Sequence, residues 1–302
     1  MRAKAPSPDY GTVATHHQGQ PSDGMHAPIT RFAPSPTGLL HLGHAHSALF
    51  ARRAAGDGTF LLRLEDIDAG RCRPDFAASI EEDLAWLGLD WPRPVRRQSA
   101  HFADYRAALA RLEAMDLLYP CFCTRRDIAE EIARAGAAPH GPEGTLYPGT
   151  CRRLSPAERA DRLESGAPYA LRLAVDDAAC RTGPLAWHDL AYGPMAAEPA
   201  TFGDVVLARK DVPASYHLAV TVDDALQGVT LVTRGEDLFA ATHLHRLLQA
   251  LLDLPVPSYH HHRLLTDESG RRLAKRDRSL TLRALRQAGH SPEAVRNMAG
   301  FP

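Results

Sequence analysis

Two histidines three residues apart, His41 and His44, close the stretch Arg31-Phe32-Ala33-Pro34-Ser35-Pro36-Thr37-Gly38-Leu39-Leu40-His41-Leu42-Gly43-His44. A strand running into a turn locked by two prolines, then a helix opening at the histidines, is a construction shaped for ATP. The helix start offers free N–H groups and the positive end of its dipole to phosphate. Gly43 has no side chain, so an adenine or ribose could lie against its backbone. His41 and His44 can donate hydrogen bonds to phosphate oxygens as negative charge builds in a transition state. Paired histidines alone could equally cap a helix or sit on its surface; the turn from Ala33 to Gly38 favours the nucleotide reading. A second element, Arg272-Leu273-Ala274-Lys275-Arg276, follows Gly270. The chain has only three lysines, Lys4, Lys210 and Lys275, among 35 basic residues. A compact ammonium acts as a point charge on phosphate, where a guanidinium presents a wider fork. Third, Cys121-Phe122-Cys123 and Cys151 suggest a metal knuckle. Three thiolates around Zn²⁺ leave one tetrahedral position, for which His140 is the generic choice of residue type. Cys72 and Cys180 lie outside that pattern and read as structural.

These residues need a scaffold. The chain has 302 residues, 44% apolar and 24% charged, with a net charge of −1. That composition excludes a disordered or collagen-like chain, and no apolar run approaches the roughly 18 residues of a membrane span. A neutral balance argues against non-specific coating of nucleic acid but leaves room for a local basic face. Five cysteines without a secretory leader point to a reducing, cytoplasmic setting. Residues 1–27 read as a disordered tail, with Met25 an alternative start. From Ile29 the pattern becomes strand, helix, strand: Ile29–Ala33, Leu42–Ala55 and Phe60–Leu64, then helices over Asp75–Leu87 and Phe102–Leu117. This rhythm predicts an α/β fold, a Rossmann-type doubly wound parallel sheet, whose first half spans 28–118. An inserted subdomain with the cysteine knuckle is expected over 119–215, its strands Tyr169–Val175, Leu185–Tyr192 and Asp204–Ala208 antiparallel. The second half, 216–302, returns to strands at Tyr216–Asp223 and Gly228–Arg234, a helix over Leu238–Leu252, and two short terminal helices.

The motifs together resemble the class I aminoacyl-tRNA synthetases in their glutamyl form. Arg31 to His44 resembles the HIGH signature, and Arg272 to Arg276 the mobile KMSKS loop, with arginine and alanine replacing its first lysine and its serine. Leu62-Arg63-Leu64-Glu65-Asp66-Ile67-Asp68, Tyr216 through Asp224, and Arg234-Gly235-Glu236-Asp237-Leu238 also look glutamyl-type. The resemblance covers about residues 28–300. A full glutamyl-tRNA synthetase continues into a helical anticodon-binding region, and this chain stops soon after its KMSKS-like loop. That shortness and the cysteine-bearing insert are similar to the glutamyl-Q tRNA(Asp) synthetase branch. The activity implied is activation of L-glutamate with ATP and transfer to the queuosine base of tRNA(Asp), by a monomer. A truncated enzyme charging 3′ ends and a catalytically silent tRNA-binding paralogue are the competing readings.

The resemblance also assigns residues. It implies glutamate contacts at Arg31, Phe32, Ala33, Pro34, Ser35, Glu65, Tyr216 and Arg234. Glu65 at a strand end suits the ammonium, and Arg31 and Arg234 suit carboxylates through two-pronged hydrogen bonds. ATP contacts fall on His41, Gly43, His44 and Lys275, with His41, His44 and Lys275 catalytic, and Mg²⁺ accompanies the ATP. For the knuckle the resemblance points to Tyr147 as fourth ligand beside Cys121, Cys123 and Cys151, the zinc being structural. Adenylation needs alignment and charge stabilisation, so no general base is expected.

Overall fold

The computed structural model describes residues 27–135, 140–142, 144–210, 212–265 and 281–302. In chain order its strands and helices are β1 (Ile29–Phe32), α1 (Leu42–Ala55), β2 (Thr59–Leu64), α2 (Pro74–Trp86), β3 (Arg96–Arg97), α3 (Phe102–Glu113), β4 (Leu118–Cys121), α4 (Arg125–Ala135), β5 (His140–Gly141), β6 (Gly144–Thr145), α5 (Pro156–Glu164), β7 (Ala170–Leu173), α6 (Val175–Thr182), β8 (Ala186–Asp189), β9 (Gly193–Ala196), β10 (Val205–Arg209), α7 (Tyr216–Leu226), β11 (Leu231–Gly235), α8 (Ala241–Leu251), β12 (Ser258–His262), α9 (Leu282–Gln287) and α10 (Pro292–Met298). The tail expected over residues 1–27 falls, up to residue 26, outside the described residues. So does Lys275 with the rest of 266–280. No described helix is long and apolar enough to cross a membrane.

Two parallel half-sheets form the centre. In one, β1 pairs with β2 and β2 with β3; in the other, β11 pairs with β12 and β12 with β8. They meet at β1 and β11, where the Thr230 N–H donates to Ile29 O at 3.0 Å and the Ile29 N–H to Thr230 Oγ1 at 2.9 Å. Further along, the bridge is a side chain: Arg31 donates to Thr233 O at 3.0 Å. From β1 the chain winds outward through α1 to β2, and from β11 through α8 to β12. The crevice at the strands' carboxyl ends therefore lies where the winding reverses, the place where open α/β sheets take ligands.

Helix α1 packs beneath this crevice because its inner face is mostly alanine. Ala45, Ala48, Ala51 and Ala55 are all buried, with Leu42 and Leu49, so the helix axis can lie close to the strands. A separate antiparallel sheet, ordered β10-β7-β4, carries the inserted region. Asp204 anchors it, accepting from Tyr119 OH at 2.6 Å and Val175 N at 2.9 Å.

Two expected strands differ. Leu185–Tyr192 does contain β8, but β8 joins the central sheet beside β12 and forms an antiparallel hairpin with β9. Its inward residues explain this, since Trp187 packs edge-on against Tyr259 and Phe239 and Asp189 is fully buried. The run Tyr216–Asp223 is helix α7, not a strand. Ser215 caps it, its hydroxyl accepting from Leu218 N, and all eight residues from His217 to Asp224 are buried. A helix buried all round has no polar face, so its apolar, β-branched run reads like a buried strand.

The last turn of α7 carries Asp223 and Asp224, where the helix dipole disfavours negative charge. Arginines from the neighbouring strands offset this. Asp224 accepts from Arg31 Nε at 2.9 Å and Arg63 NH1 at 2.8 Å. Asp223 accepts from Arg96 Nε and Gln98 Nε2, both at 2.8 Å, and from Tyr105 OH at 2.9 Å. Replacing Asp223 with alanine strands two buried donors and the half-buried Arg96, so the variant should lose about 3–5 kcal/mol in urea unfolding. A loss under about 1 kcal/mol would show that these donors find other acceptors.

Candidate active site

The crevice opens into a cavity of about 590 Å³ lined by residues from both half-sheets. Arg31, Phe32, Ala33, His41, Gly43, His44, Glu65, Tyr216 and Arg234 all line it, so nine of the sequence-selected residues meet there. Ser35 lines a second cavity of about 580 Å³ that shares Glu65 and Tyr216 with the first. Pro34 is buried and lines neither; its carbonyl accepts the Glu65 N–H at 3.0 Å, which fixes the chain leaving β2. Lys275 lies outside the described residues.

The histidine pair is both cap and candidate ligand. His41 is the N-cap of α1: its Nδ1 accepts from Gly43 N at 3.1 Å, and its own N–H donates to His44 Nδ1 at 3.2 Å. The rings lie 3.8 Å apart. Because Nδ1 of each ring accepts, the proton of each neutral ring sits on Nε2. Capping thus sets both imidazoles as Nε2–H donors, the form that anionic oxygen needs. A Cβ on Gly43 would stand 3.0 Å from His41 Cε1, so this glycine gives the His41 ring its place. The start of α9 docks beside the cap, with Leu282 N donating to Leu40 O at 2.9 Å.

Two buried arginines, Arg31 and Arg234, line the crevice, and a third, Arg63, pairs with Glu65 at its wall, each in a different electrostatic setting. Arg31 is gripped by Asp224 through Nε and NH2. Arg63, fully buried in β2, donates through NH1 to Asp224, while its Nε and NH2 lack hydrogen bonds of good geometry. They are held by charge alone, 3.7 Å from Asp223 and 3.5 Å from Glu65. Burial opposes the charge on Arg63, yet Asp224, Glu65 and Asp223 keep it firmly protonated. Arg234 is hydrogen-bonded by neutral groups: Thr242 Oγ1 at 2.6 Å, His261 Nε2 at 3.1 Å, His245 Nδ1 at 3.2 Å and Tyr216 OH at 3.4 Å.

Glu65 follows β2 with its carboxylate buried. Burial pushes its pKa up to about 7, against the pull of Arg63 and Arg31. Its ion pair with Arg63 NH2, at 3.5 Å, lacks a hydrogen bond of good geometry, so a cation arriving beside it would meet a loosely held carboxylate. Tyr216, expected at a strand start, is the first residue of helix α7, and burial raises its phenol pKa.

Arg63, Asp223 and Asp224 lie inside the glutamyl-type motifs, yet residue type and spacing assign them no role. The available signal was an arginine between leucines in an otherwise apolar strand, since charges are almost never buried unless paired. His245, His261 and Asp189 gave no comparable signal.

The cysteine cluster forms as expected. The Sγ atoms of Cys121, Cys123 and Cys151 lie within 4.8 Å of one another. Tyr147 OH stands 3.4 Å from Cys121 Sγ and 3.6 Å from Cys123 Sγ, and accepts from Cys151 N at 2.8 Å. Burial pushes the Cys123 thiol up to about 12. Burial also opposes a thiolate at Cys151, but donors from Tyr147 and Phe122 N hold that thiol below its usual value. Three converging sulfurs with a phenol oxygen beside them fit a tetrahedral ion. Arg172 lies over the Tyr147 ring at 3.8 Å and ties the knuckle to β7.

Comparison with known proteins agrees with this geometry. The family model "tRNA synthetases class I (E and Q), catalytic domain" matches residues 29–300. The chain is 50% identical to a glutamyl-Q tRNA(Asp) synthetase of Rhodobacter capsulatus, across 90% of this chain and all of that protein. It is 47% identical to one of Symbiobacterium thermophilum, across 88% of this chain and 83% of that protein. Among solved structures, a glutamate tRNA ligase of Elizabethkingia meningosepticum in complex with its amino acid superposes with a TM-score of 0.67 at 30% identity. That match covers 83% of this chain and about half (52%) of the ligase. The chain belongs to the class I tRNA synthetases of the glutamate and glutamine type, alongside the glutamyl-Q tRNA(Asp) synthetases, and is a ligase of that kind.

Proposed function

We propose that the chain activates L-glutamate with ATP, without tRNA, and passes the glutamyl group to the queuosine base in the anticodon of tRNA(Asp). One observation carries this reading: a single crevice joins a buried carboxylate and an arginine whose described hydrogen-bond partners are neutral to a capped Nε2–H histidine pair. Glu65 takes the ammonium, Arg31 and Arg234 take carboxylates, and Tyr216 with the segment Phe32 to Ser35 walls the amino acid. An α-carboxylate oxygen attacks the α-phosphorus, and the bond to pyrophosphate breaks. His41 and His44, with Lys275, stabilise the charge that develops on the phosphate oxygens, and Gly43 admits the nucleoside. Mg²⁺ bound to ATP offsets phosphate charge. The acceptor nucleophile on the base then attacks the glutamyl carbonyl and AMP leaves. The second cavity, which meets the first at Glu65 and Tyr216, offers the acceptor its own approach. Cys121, Cys123, Cys151 and Tyr147 hold a structural Zn²⁺, which stiffens the inserted module. The enzyme works as a cytoplasmic monomer.

ATP–pyrophosphate exchange with glutamate and no tRNA should be robust, and labelled glutamate should go to tRNA(Asp) only when queuosine is present. Exchange that requires tRNA(Glu), with label at its 3′ end, would replace this reading with an ordinary charging enzyme.

The carboxylate at Glu65 gives a pH signature. Its ionised form is needed for the ammonium, and its pKa lies at about 7. The KM for glutamate should therefore rise as pH falls, approaching about tenfold per unit below about pH 7. The KM for ATP should not follow it. A glutamate KM flat from pH 5.5 to 8, chosen as about one to two units around neutrality, removes Glu65 from ammonium binding.

Metal analysis should find about one zinc per chain, and Cys151→Ser should abolish it. The same variant should melt earlier yet keep its glutamate KM within about twofold, because a structural ion touches no substrate. Loss of exchange at full folding would give the metal a catalytic part.

A further inference from the structure

The hydrogen bonds around Arg234 have one consistent assignment of protons. His261 Nε2 accepts from Arg234 Nε at 3.1 Å, so its proton must be on Nδ1. Asp189 Oδ2 lies 2.6 Å from that Nδ1 and receives the proton's hydrogen bond. On the other side, His245 Nδ1 accepts from Arg234 NH1 at 3.2 Å, so its proton is on Nε2. That Nε2 lies 3.1 Å from His217 Nδ1, which must accept. Protons on both imidazoles point away from the arginine, and their lone pairs point toward it. All four supporting residues, Asp189, His261, His245 and His217, are buried.

We infer that these two dyads, Asp189–His261 and His217–His245, are positioning residues that hold Arg234 with neutral acceptors and so make the site select a carboxylate over a carboxamide. This rests on the functional reading above. The contrast with Arg31 and Arg63 carries the argument. Both of those have an aspartate partner, and a ligand anion would compete with it. The hydrogen bonds of Arg234 to the described residues fix its fork without neutralising its charge. In a buried site an anion gains strongly from an unneutralised guanidinium, and a neutral amide gains little. The imidazoles must remain neutral for this to work. Burial and the adjacent Arg234 hold His261 down to about 4 and His245 well below its usual value. Asp189 sets the tautomer without touching the guanidinium itself. Its other oxygen accepts from Ala191 N at 2.8 Å and Tyr192 N at 3.2 Å, so the β8–β9 turn holds the carboxylate still. An edge hairpin, distant in sequence from Arg234, thereby aims the residue that reads the substrate.

The test compares His261→Leu with His261→Gln, both of which lose the contact to Asp189. Only glutamine can return an acceptor near the place of Nε2. In pyrophosphate exchange, His261→Leu should raise the glutamate KM about ten- to hundredfold and cut the glutamate-to-glutamine preference by a similar factor. The KM for ATP should stay within about twofold, and His261→Gln should recover most of the loss. An unchanged glutamate KM in His261→Leu, or an equal rise for ATP, overturns the inference. If the variants do not fold, ¹⁵N spectra of the histidine-labelled wild-type chain, with signals assigned ring by ring, decide it by showing whether the His261 ring carries its proton on Nδ1. Absence of that tautomer overturns the proposal. Wild-type chain that shows the tautomer but no exchange with glutamate would instead sink the functional reading, and the substrate preference with it.

Discussion

Most of the site depends on how two adjacent carboxylates are held at the end of one buried helix. Asp223 and Asp224 are nearly inaccessible to water and sit where the dipole of α7 opposes them. Removing two charges from water costs several kcal/mol each unless geometry restores the loss. Arginines from β1, β2 and β3 restore it, each reaching from a different strand of one half-sheet. The network therefore welds α7 to that half-sheet. It also fixes Arg31 beside the crevice and places Tyr216, the first residue of the same helix, at the crevice wall.

The same network explains the state of Glu65. Its two nearest cations are already engaged by Asp224, so burial outweighs them and the carboxyl holds its proton up to about neutrality. A group left in deficit in this way is poised for an incoming ammonium, which would supply the missing positive charge. Arg234 is the complementary case, a cation supported by lone pairs rather than by a counter-ion. The crevice thus presents two groups of opposite charge, a carboxylate held only by a long ion pair and an arginine whose described hydrogen-bond partners are neutral. A buried charge held in place before a ligand arrives strengthens the electrostatic part of recognition.

How much of this was legible in the sequence follows from the range of each interaction. The turn Ala33 to Gly38 and the cap His41–Gly43–His44 are local, so spacing alone located them, and α1 begins and ends where the apolar period predicts. The cysteine pattern is likewise short-range except for its gap, and the three sulfurs do converge. Helix α7 was misread because every residue from His217 to Asp224 is buried; without a polar face, period 3.6 leaves no trace. The role of Asp189 was invisible for another reason. It acts on Arg234 through His261, seventy-two residues away, and only the pairing of β8 with β12 brings the two together. The strand's alternation was readable, but its partner was not.

The histidine pair shows why fold and chemistry need not compete for the same atoms. A helix N-terminus leaves N–H groups without partners, and a cap there is worth about 1 kcal/mol. His41 and His44 meet that need with Nδ1 alone. An imidazole has a second nitrogen, and once Nδ1 accepts, the neutral ring must carry its proton on Nε2. A serine or aspartate cap would satisfy the backbone equally well but would leave no oriented N–H donor for phosphate. The choice of histidine at a position where capping statistics favour small oxygen side chains is thus a mark of function. The same logic recurs at His261 and His245, where one nitrogen serves a neighbouring acceptor and the other serves Arg234. In each case a ring with two distinct nitrogens lets one hydrogen bond set the polarity of the next, and so carries a direction from the fold's interior to the crevice wall.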